Sequence, residues 1–347
     1  MNPFWRDVSE PFRPPVFLPD IGTFFNQDLK LAEQLLHRVA SSGARYIKGE
    51  ILHDPDICLA TDTNERYLGN DATPREENYR TLIERKCVGL DAYRELFAPC
   101  ADLNLGLVLS VYDNAGADFA AEAGAAAIKI ASTNVVHAPL IRHCAGLGLP
   151  LIIDTGKATL GEAQRAVEWA QQAGCSELVV EYSPPAPPAP LERHNLRILP
   201  DLYKLFGLPI GLSDHHHGNE MLYAASALGC RVLEKGVCND NNPADQDVYH
   251  ALNVNELAQV MRQCHNIHAA LGEAHAAYPP PAERPSARMG LVARENLQPG
   301  ERVSLDKVRF AFPTLGIPVE DWDTAEGSVI KQAVAANTPL EWEHVER

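Results

Sequence analysis

Eight short β-type runs alternate with helix-period segments between residues 16 and 237, and no other feature of the sequence constrains the fold as much. The runs are VFLPDIG (16–22), RYIKGEI (45–51), LGLVLSV (105–111), AAIKIAS (126–132), PLIIDTG (150–156), ELVVEYS (177–183), LPIGLSD (208–214) and RVLEKGV (231–237). Most carry a continuous Val/Ile/Leu core instead of a two-residue alternation, as parallel strands covered on both faces do. Between them, DLKLAEQLLHRVASSGA (28–44) sets Leu31, Leu35, Leu36 and Val39 on one helix face and stops at Ala40-Ser41-Ser42-Gly43. LGEAQRAVEWAQQAGC (160–175) and NELAQVMRQCHNIHAALG (255–272) read the same way. Eight strands separated by helices predict an α/β fold, a (β/α)8 TIM barrel, in preference to an open doubly wound sheet.

The barrel is expected over residues 1–275, followed by the Pro-rich linker AAYPPPAERP (276–285). Residues 286–347 then read as short strands broken by Gly and Pro turns, a small β-rich C-terminal domain. A second Pro-rich stretch, SPPAPPAP (183–190), follows the sixth run, where a barrel carries its catalytic mouth. The net charge of −16 argues against nucleic-acid or anionic-membrane partners, so an anionic substrate needs a local basic site. The eight cysteines form no CxxC pair and read as reduced core residues of a cytoplasmic protein. The N-terminal MNPFWRDVSEPFRPP lacks the layout of a signal peptide, and no apolar run approaches ~18 residues.

Active residues of such barrels cluster at the carboxyl ends of the strands. Here those ends supply Asp20, Lys48, Glu50, Ser110, Tyr112, Lys129, Ser132, Asp154, Thr155, Glu181, Ser213, Asp214, His215, Glu234 and Lys235. Lys48, Lys129 and Lys235 stand inside strands, where a buried charge is costly without a partner. They form either a cationic well for a phosphate or carboxylate, or Lys–Glu pairs through Glu50 and Glu234 that brace the barrel. In GLSDHHHGNE (211–220), His215 at the strand end is a candidate metal ligand or acid–base group, while His216 and His217 read as a polar helix entry. DTGKATLGE (154–162) lacks phosphate-loop spacing and reads as a strand–turn–helix entry capped by Thr159. Asp245 and Asp247 in NPADQDVYH (242–250) are candidate loop acids.

At these residues the chain resembles the N-acetylneuraminate (sialic acid) synthase family nearly end to end. The resemblance runs through DIGTFFNQDLKLAEQLL, GARYIKGE, AIKIASTNVVHAPLI, DTGKATLGEAQRAV, NLRILPDLYKLFGLPIGLSDHHHG and ALGCRVLEKG. LVARENLQPGERVSLDKVRFAFPTLGI is similar to that family's antifreeze-like C-terminal domain. The resemblance implies condensation of phosphoenolpyruvate with an aldehyde sugar to a 3-deoxy-2-keto acid, a divalent metal (Mn2+ or Mg2+), and a domain-swapped homodimer. It implies Asp20, Lys48, Lys129 and Asp247 as catalytic residues. Ser110, Tyr112, Ser132, Asn134, Ser213, Lys235 and Phe312 fall in the implied substrate set, and His215 with Glu181 in the metal set.

Several positions depart from the family's pattern. Its strand-one glutamate is Asp20, its strand-two glutamine is Glu50, and the serine opening its STG turn is Asp154. Its strand-six histidine is absent, leaving Glu181 or Tyr182, and its histidine after the strand-eight Glu-Lys is Gly236. The arginine expected before Pro313, which reaches the acceptor's N-acetyl group, is Phe312, so N-acetylmannosamine is not the expected acceptor. Three activities fit these departures: a synthase with another acceptor, an aldolase or lyase acting on a related keto acid, and a weakly catalytic binding or regulatory partner.

Overall fold

Branched aliphatic runs favour extended backbone, and burial on both faces favours parallel pairing. The computed structural model describes residues 1–184, 189–243, 245–272 and 287–346, which form two compact units, Met1–Leu271 and Gly272–Arg347. The expected linker 276–285 and residues 185–188 of the Pro-rich insert lie outside the described residues.

In the first unit eight strands run in parallel: β1 (Val16–Asp20), β2 (Tyr46–Ile51), β3 (Gly106–Val111), β4 (Ala127–Ile130), β5 (Leu151–Asp154), β6 (Leu178–Tyr182), β7 (Ile210–Asp214) and β8 (Val232–Cys238). Each pairs with the next, and β8 returns to β1 in register from Val16↔Val232 to Asp20↔Gly236. The sheet is therefore a closed (β/α)8 barrel. Helices cover its outside. Leu29–Ser41 is capped by Asp28 and buries Leu31, Leu35, Leu36 and Val39, the face read from the sequence. Leu160–Gln172 starts at Thr159, whose side chain and that of Glu162 form a reciprocal capping box. No helix among the described residues is long and apolar enough to cross a membrane.

Three features position the two ends of the barrel. The helix Pro3–Ser9 packs its buried Phe4 and Val8 against Val16, Leu18, Tyr46, Val108 and Val232, plugging the amino end of the strands. Arg231 holds that plug by donating to the carbonyls of Asp7, Val8, Glu10 and Arg13. A polar hairpin, Asn64–Leu68 with Pro74–Asn78, is inserted between β2 and β3. The short strand Leu252–Asn253 pairs with Val237 and Cys238 beyond the barrel, so the loop after β8 is anchored at both ends.

The second unit has two small antiparallel sheets, Gly290–Ala293 with Val308–Ala311 and Val329–Ile330 with Val345–Glu346. Its own core includes Leu291, Leu297, Val303, Ile317, Ile330 and Leu340.

Candidate active site

Side chains alternate across a strand, so one set from each β-strand enters the barrel interior at its carboxyl end. A cavity of about 150 Å³ opens there. Asp20, Lys48, Glu50, Ser110, Tyr112, Lys129, Ser132, Asp154, Ser213, His215, Glu234 and Asp247 all line it, so most of the expected set converges on one place.

Both lysines are buried, and both are already engaged. Lys48 Nζ lies 2.5 Å from Asp20 Oδ2, 3.5 Å from Glu50 Oε1 and 3.6 Å from Glu234 Oε1. Lys129 Nζ lies 2.6 Å from Glu234 Oε1, 2.7 Å from Glu181 Oε2 and 3.1 Å from Asp154 Oδ2. Five carboxyl groups (Asp20, Glu50, Asp154, Glu181 and Glu234) thus share two ammoniums. The bracing pairs through Glu50 and Glu234 exist, but within the cavity that was expected to be a cationic well.

Burial and proximity push these groups apart. Burial works against the Glu234 carboxylate, yet Lys129, Lys48 and the Ser213 hydroxyl, which donates at 2.9 Å, outweigh it and hold Glu234 at about 2. Burial and then Glu234 push Glu181 up to about 8. Burial carries Asp20 to about 6 against the pull of Lys48. Burial opposes the charge on Lys129, but Glu181, Glu234 and Asp154 overcome it and hold that lysine firmly protonated. Tyr112 donates to Glu50 Oε2 at 2.8 Å, and Ser183 donates to Asp154 at 2.7 Å. Ser110 Oγ is buried without a partner, a hydroxyl free for a ligand.

Four sequence-based candidates stand elsewhere. Lys235 does not line the cavity: its Nζ meets Asp214 Oδ2 at 2.9 Å and donates to the carbonyls of His216 and Gly218, which braces the β7 turn. Asn134 lies on the turn after β4, outside the lining. Phe312 belongs to the second unit and is 59% exposed. Glu181 is fully buried beneath the cavity against Lys129, so it does not join His215 as a metal ligand. Among the described residues no three His, Cys, Asp or Glu side chains stand ready to hold a metal ion. The expected donor pair, His215 with Glu181, does not fit one.

Further residues complete the site: Asp245, read from the sequence as a candidate loop acid, is held by two cations, and Arg85, Lys86, His250 and Phe24 were not singled out. Asp245, fully buried, is a clamp: Arg85 Nη1 reaches its Oδ2 at 2.7 Å and Lys86 Nζ its Oδ1 at 2.8 Å. This fixes the loop that carries Asp247, which burial pushes above the usual carboxylate range against the pull of Lys86 and His215. His250, from the same loop, also lines the cavity. Phe24 fills the space beside Gly236, where a β-carbon would come within 2.9 Å of its ring. His250 was legible as a histidine in a strand-eight loop. The Arg85–Lys86 clamp left no local sign, because its partner is 160 residues away.

The fold and this pocket define a (β/α)8-barrel enzyme with its chemistry at the carboxyl ends of the strands. Residues 35–276 match the NeuB family and residues 288–346 the SAF domain. The chain belongs to the NeuB family. It is 25% identical over 337 residues to pseudaminic acid synthase of Helicobacter pylori, covering 96% of this chain and 99% of that protein. It is 26% identical over 318 residues to N,N'-diacetyllegionaminic acid synthase of Campylobacter jejuni, covering 90% and 95%. In fold it is similar to the crystal structure of a spore coat polysaccharide biosynthesis protein E from Chromobacterium violaceum, with a TM-score of 0.71 at 19% identity over 96% of this chain and all of that one.

Proposed function

We propose that this chain condenses phosphoenolpyruvate with an aldehyde sugar, forming a 3-deoxy-2-keto acid and releasing phosphate. The convergence of Lys48 and Lys129 with Ser110, Ser132 and Ser213 around one cavity carries this reading. The names of the two bacterial synthases above, each matched nearly end to end, support it.

The lysines and hydroxyls hold the phosphate and carboxylate through charge-assisted hydrogen bonds. Substrate oxygens take the places of carboxylate oxygens around each ammonium. A protonated Glu181 eases this exchange, since it leaves four carboxyl groups against two ammoniums. C3 of the enol attacks the aldehyde carbon, and the aldehyde oxygen becomes a hydroxyl by taking the proton that the attacking water gives up through Asp20 or Asp247. Water adds to C2, giving up its proton to Asp20 or Asp247, whose affinities burial has raised toward neutrality. The C2–O bond to phosphate then breaks, the C2 hydroxyl passing its proton to the departing phosphate, which leaves the 2-keto group. An aldolase acting through a lysine imine is disfavoured, because Lys129, held charged by three carboxyl groups, has no free amine to attack a carbonyl.

The proposal extends to the acceptor and the assembly. In a domain-swapped homodimer the C-terminal unit of one protomer covers the barrel mouth of the other and brings Phe312 to the acceptor. A phenyl ring offers no hydrogen bond to an acyl oxygen, whereas an arginine offers five donors. The acceptor therefore lacks an N-acetyl group at that position. Phosphate release from phosphoenolpyruvate with a panel of aldoses tests this: release should depend on the aldehyde, with N-acetylmannosamine a poor acceptor. Efficient use of N-acetylmannosamine would overturn the acceptor assignment. Binding of phosphoenolpyruvate with no turnover of any aldehyde would favour the regulatory-partner reading.

A further inference from the structure

The amino end of the barrel reverses the charge balance of the mouth. There Asp7, on the plug helix and only 2% exposed, is the meeting point of three guanidiniums. Arg45 Nη2 reaches its Oδ2 at 2.6 Å, Arg13 Nη1 its Oδ1 at 3.2 Å, and Arg6 Nε the same Oδ1 at 3.5 Å. The Tyr46 hydroxyl donates to Oδ2 at 2.8 Å, so both carboxylate oxygens are fully engaged. Glu10 adds a second carboxylate, through Arg13 Nε, and Arg231 a fourth guanidinium, already spent on backbone carbonyls of the plug. A cavity of about 230 Å³ opens beside this cluster. Arg13, Arg45 and Asp7 line it, and the rest of its wall is largely apolar, with Pro15, Phe17 and Met261. It lies where β1 and β2 begin, whereas the candidate active site lies where they end, at Asp20 and Lys48.

We propose that this cavity is a second ligand site, for a small organic anion whose carboxylate meets Arg13 and Arg45 and whose apolar body packs against Pro15, Phe17 and Met261. In a chain of net charge −16, guanidiniums in excess of their carboxylates are a local exception, and an anion corrects the excess. Asp7 does not correct it alone. It fixes two of the guanidiniums at the cavity, and a guanidinium has five N–H donors, more than these contacts use. The arginines are not needed as anchors, since the plug is held by its buried Phe4 and Val8 and by Arg231. The side chains of Arg13 and Arg45 remain 39% and 60% exposed, within reach of an entering ligand. Arg45 also lies over the Tyr46 ring at 5.8 Å, which restricts where its donors point. The volume falls below the roughly 300 Å³ at which drug-sized sites begin, so the ligand is a single ring or a short chain. An aryl carboxylate is the simplest molecule with both parts. The site does not rest on the synthase reading.

Titration of the full chain with 4-fluorobenzoate, followed by 19F NMR, tests the assignment. The expected result is saturable binding with a Kd on the order of 1 mM, as about ten non-hydrogen atoms at modest efficiency give. Arg13→Gln and Arg45→Gln should each raise that Kd by about fivefold or more, with melting temperatures measured alongside. On the native chain, 4-fluorobenzamide, which keeps the ring and loses the charge, should bind about tenfold more weakly. Fluoroacetate, which keeps the charge and loses the ring, should also bind more weakly than 4-fluorobenzoate. Phosphoenolpyruvate, assigned to the opposite end of the barrel, should not displace the probe. No saturation up to roughly 10 mM would overturn the proposal, as would equal binding of the amide. Unchanged affinity in both folded arginine variants, or displacement by phosphoenolpyruvate, would overturn it too. Should either variant fail to fold, the comparison of acid with amide on the native chain still decides.

Discussion

Lys129 is pressed by three carboxyl groups at once, and the Asp154 carboxylate at 3.1 Å stands in the cavity wall where a substrate phosphate would compete for the same ammonium. A repulsion between like charges ~5 Å apart is roughly 3 kcal/mol at an effective dielectric of about 20, and half of that is about tenfold in Kd. Asp154→Asn should therefore tighten phosphoenolpyruvate binding by about tenfold in calorimetry; weaker binding would mean that Asp154 positions Lys129 and does not compete with substrate. Glu181 makes a second prediction, for stability. Its folded pKa is raised to about 8, so the native state holds a proton that the unfolded chain releases near 4.5. Stability from this group is present below about 4.5 and lost as pH rises through about 8. The melting temperature of Glu181→Gln should decline less than that of the native chain between those limits, and parallel declines would count against the assignment. The residues of this cavity were legible because barrel geometry sends strand-end side chains inward. Their pairing was not, because Lys129 meets Glu234 across 105 residues of sequence.

Elements differ in how plainly the sequence announces them. The barrel strands and the helices Leu29–Ser41 and Leu160–Gln172 follow from apolar period and capping residues. The plug Pro3–Ser9 is too short to show a period, and the hairpin strands Asn64–Leu68 and Pro74–Asn78 are exposed and polar, so neither carries an apolar pattern. The loop after β8 was legible as acidic but not as clamped. Asp245→Ala would leave Lys86 buried and unpaired, at a cost of ~3–5 kcal/mol. A fall of roughly 10 °C in melting temperature is expected by calorimetry. Turnover should fall further than phosphoenolpyruvate affinity, since Asp247 and His250 lose their anchor while Lys48 and Lys129 do not. A variant that melts like the native chain would show that the loop is held by other contacts.

At the scale of the whole molecule, a strongly acidic chain of −16 concentrates buried lysines and carboxyl groups at one end of a barrel. Its global field repels a phosphorylated substrate, so affinity rests on local contacts that gain strength as water is excluded. The division into two units was legible in the change from helix-period text to short strands broken by turns. The acceptor was not, because a single position, Phe312, carries what the sequence says about it. In the proposed reaction phosphate leaves by cleavage of the bond between C2 and its bridging oxygen, after a carbon–carbon bond has formed. Phosphoenolpyruvate labelled with 18O at the bridging oxygen tests this most directly, with the released phosphate read by 31P NMR in the presence of an accepted aldose. Cleavage at C2 puts the label in the phosphate, whereas unlabelled phosphate, showing cleavage between phosphorus and the bridging oxygen, would contradict the proposed reaction.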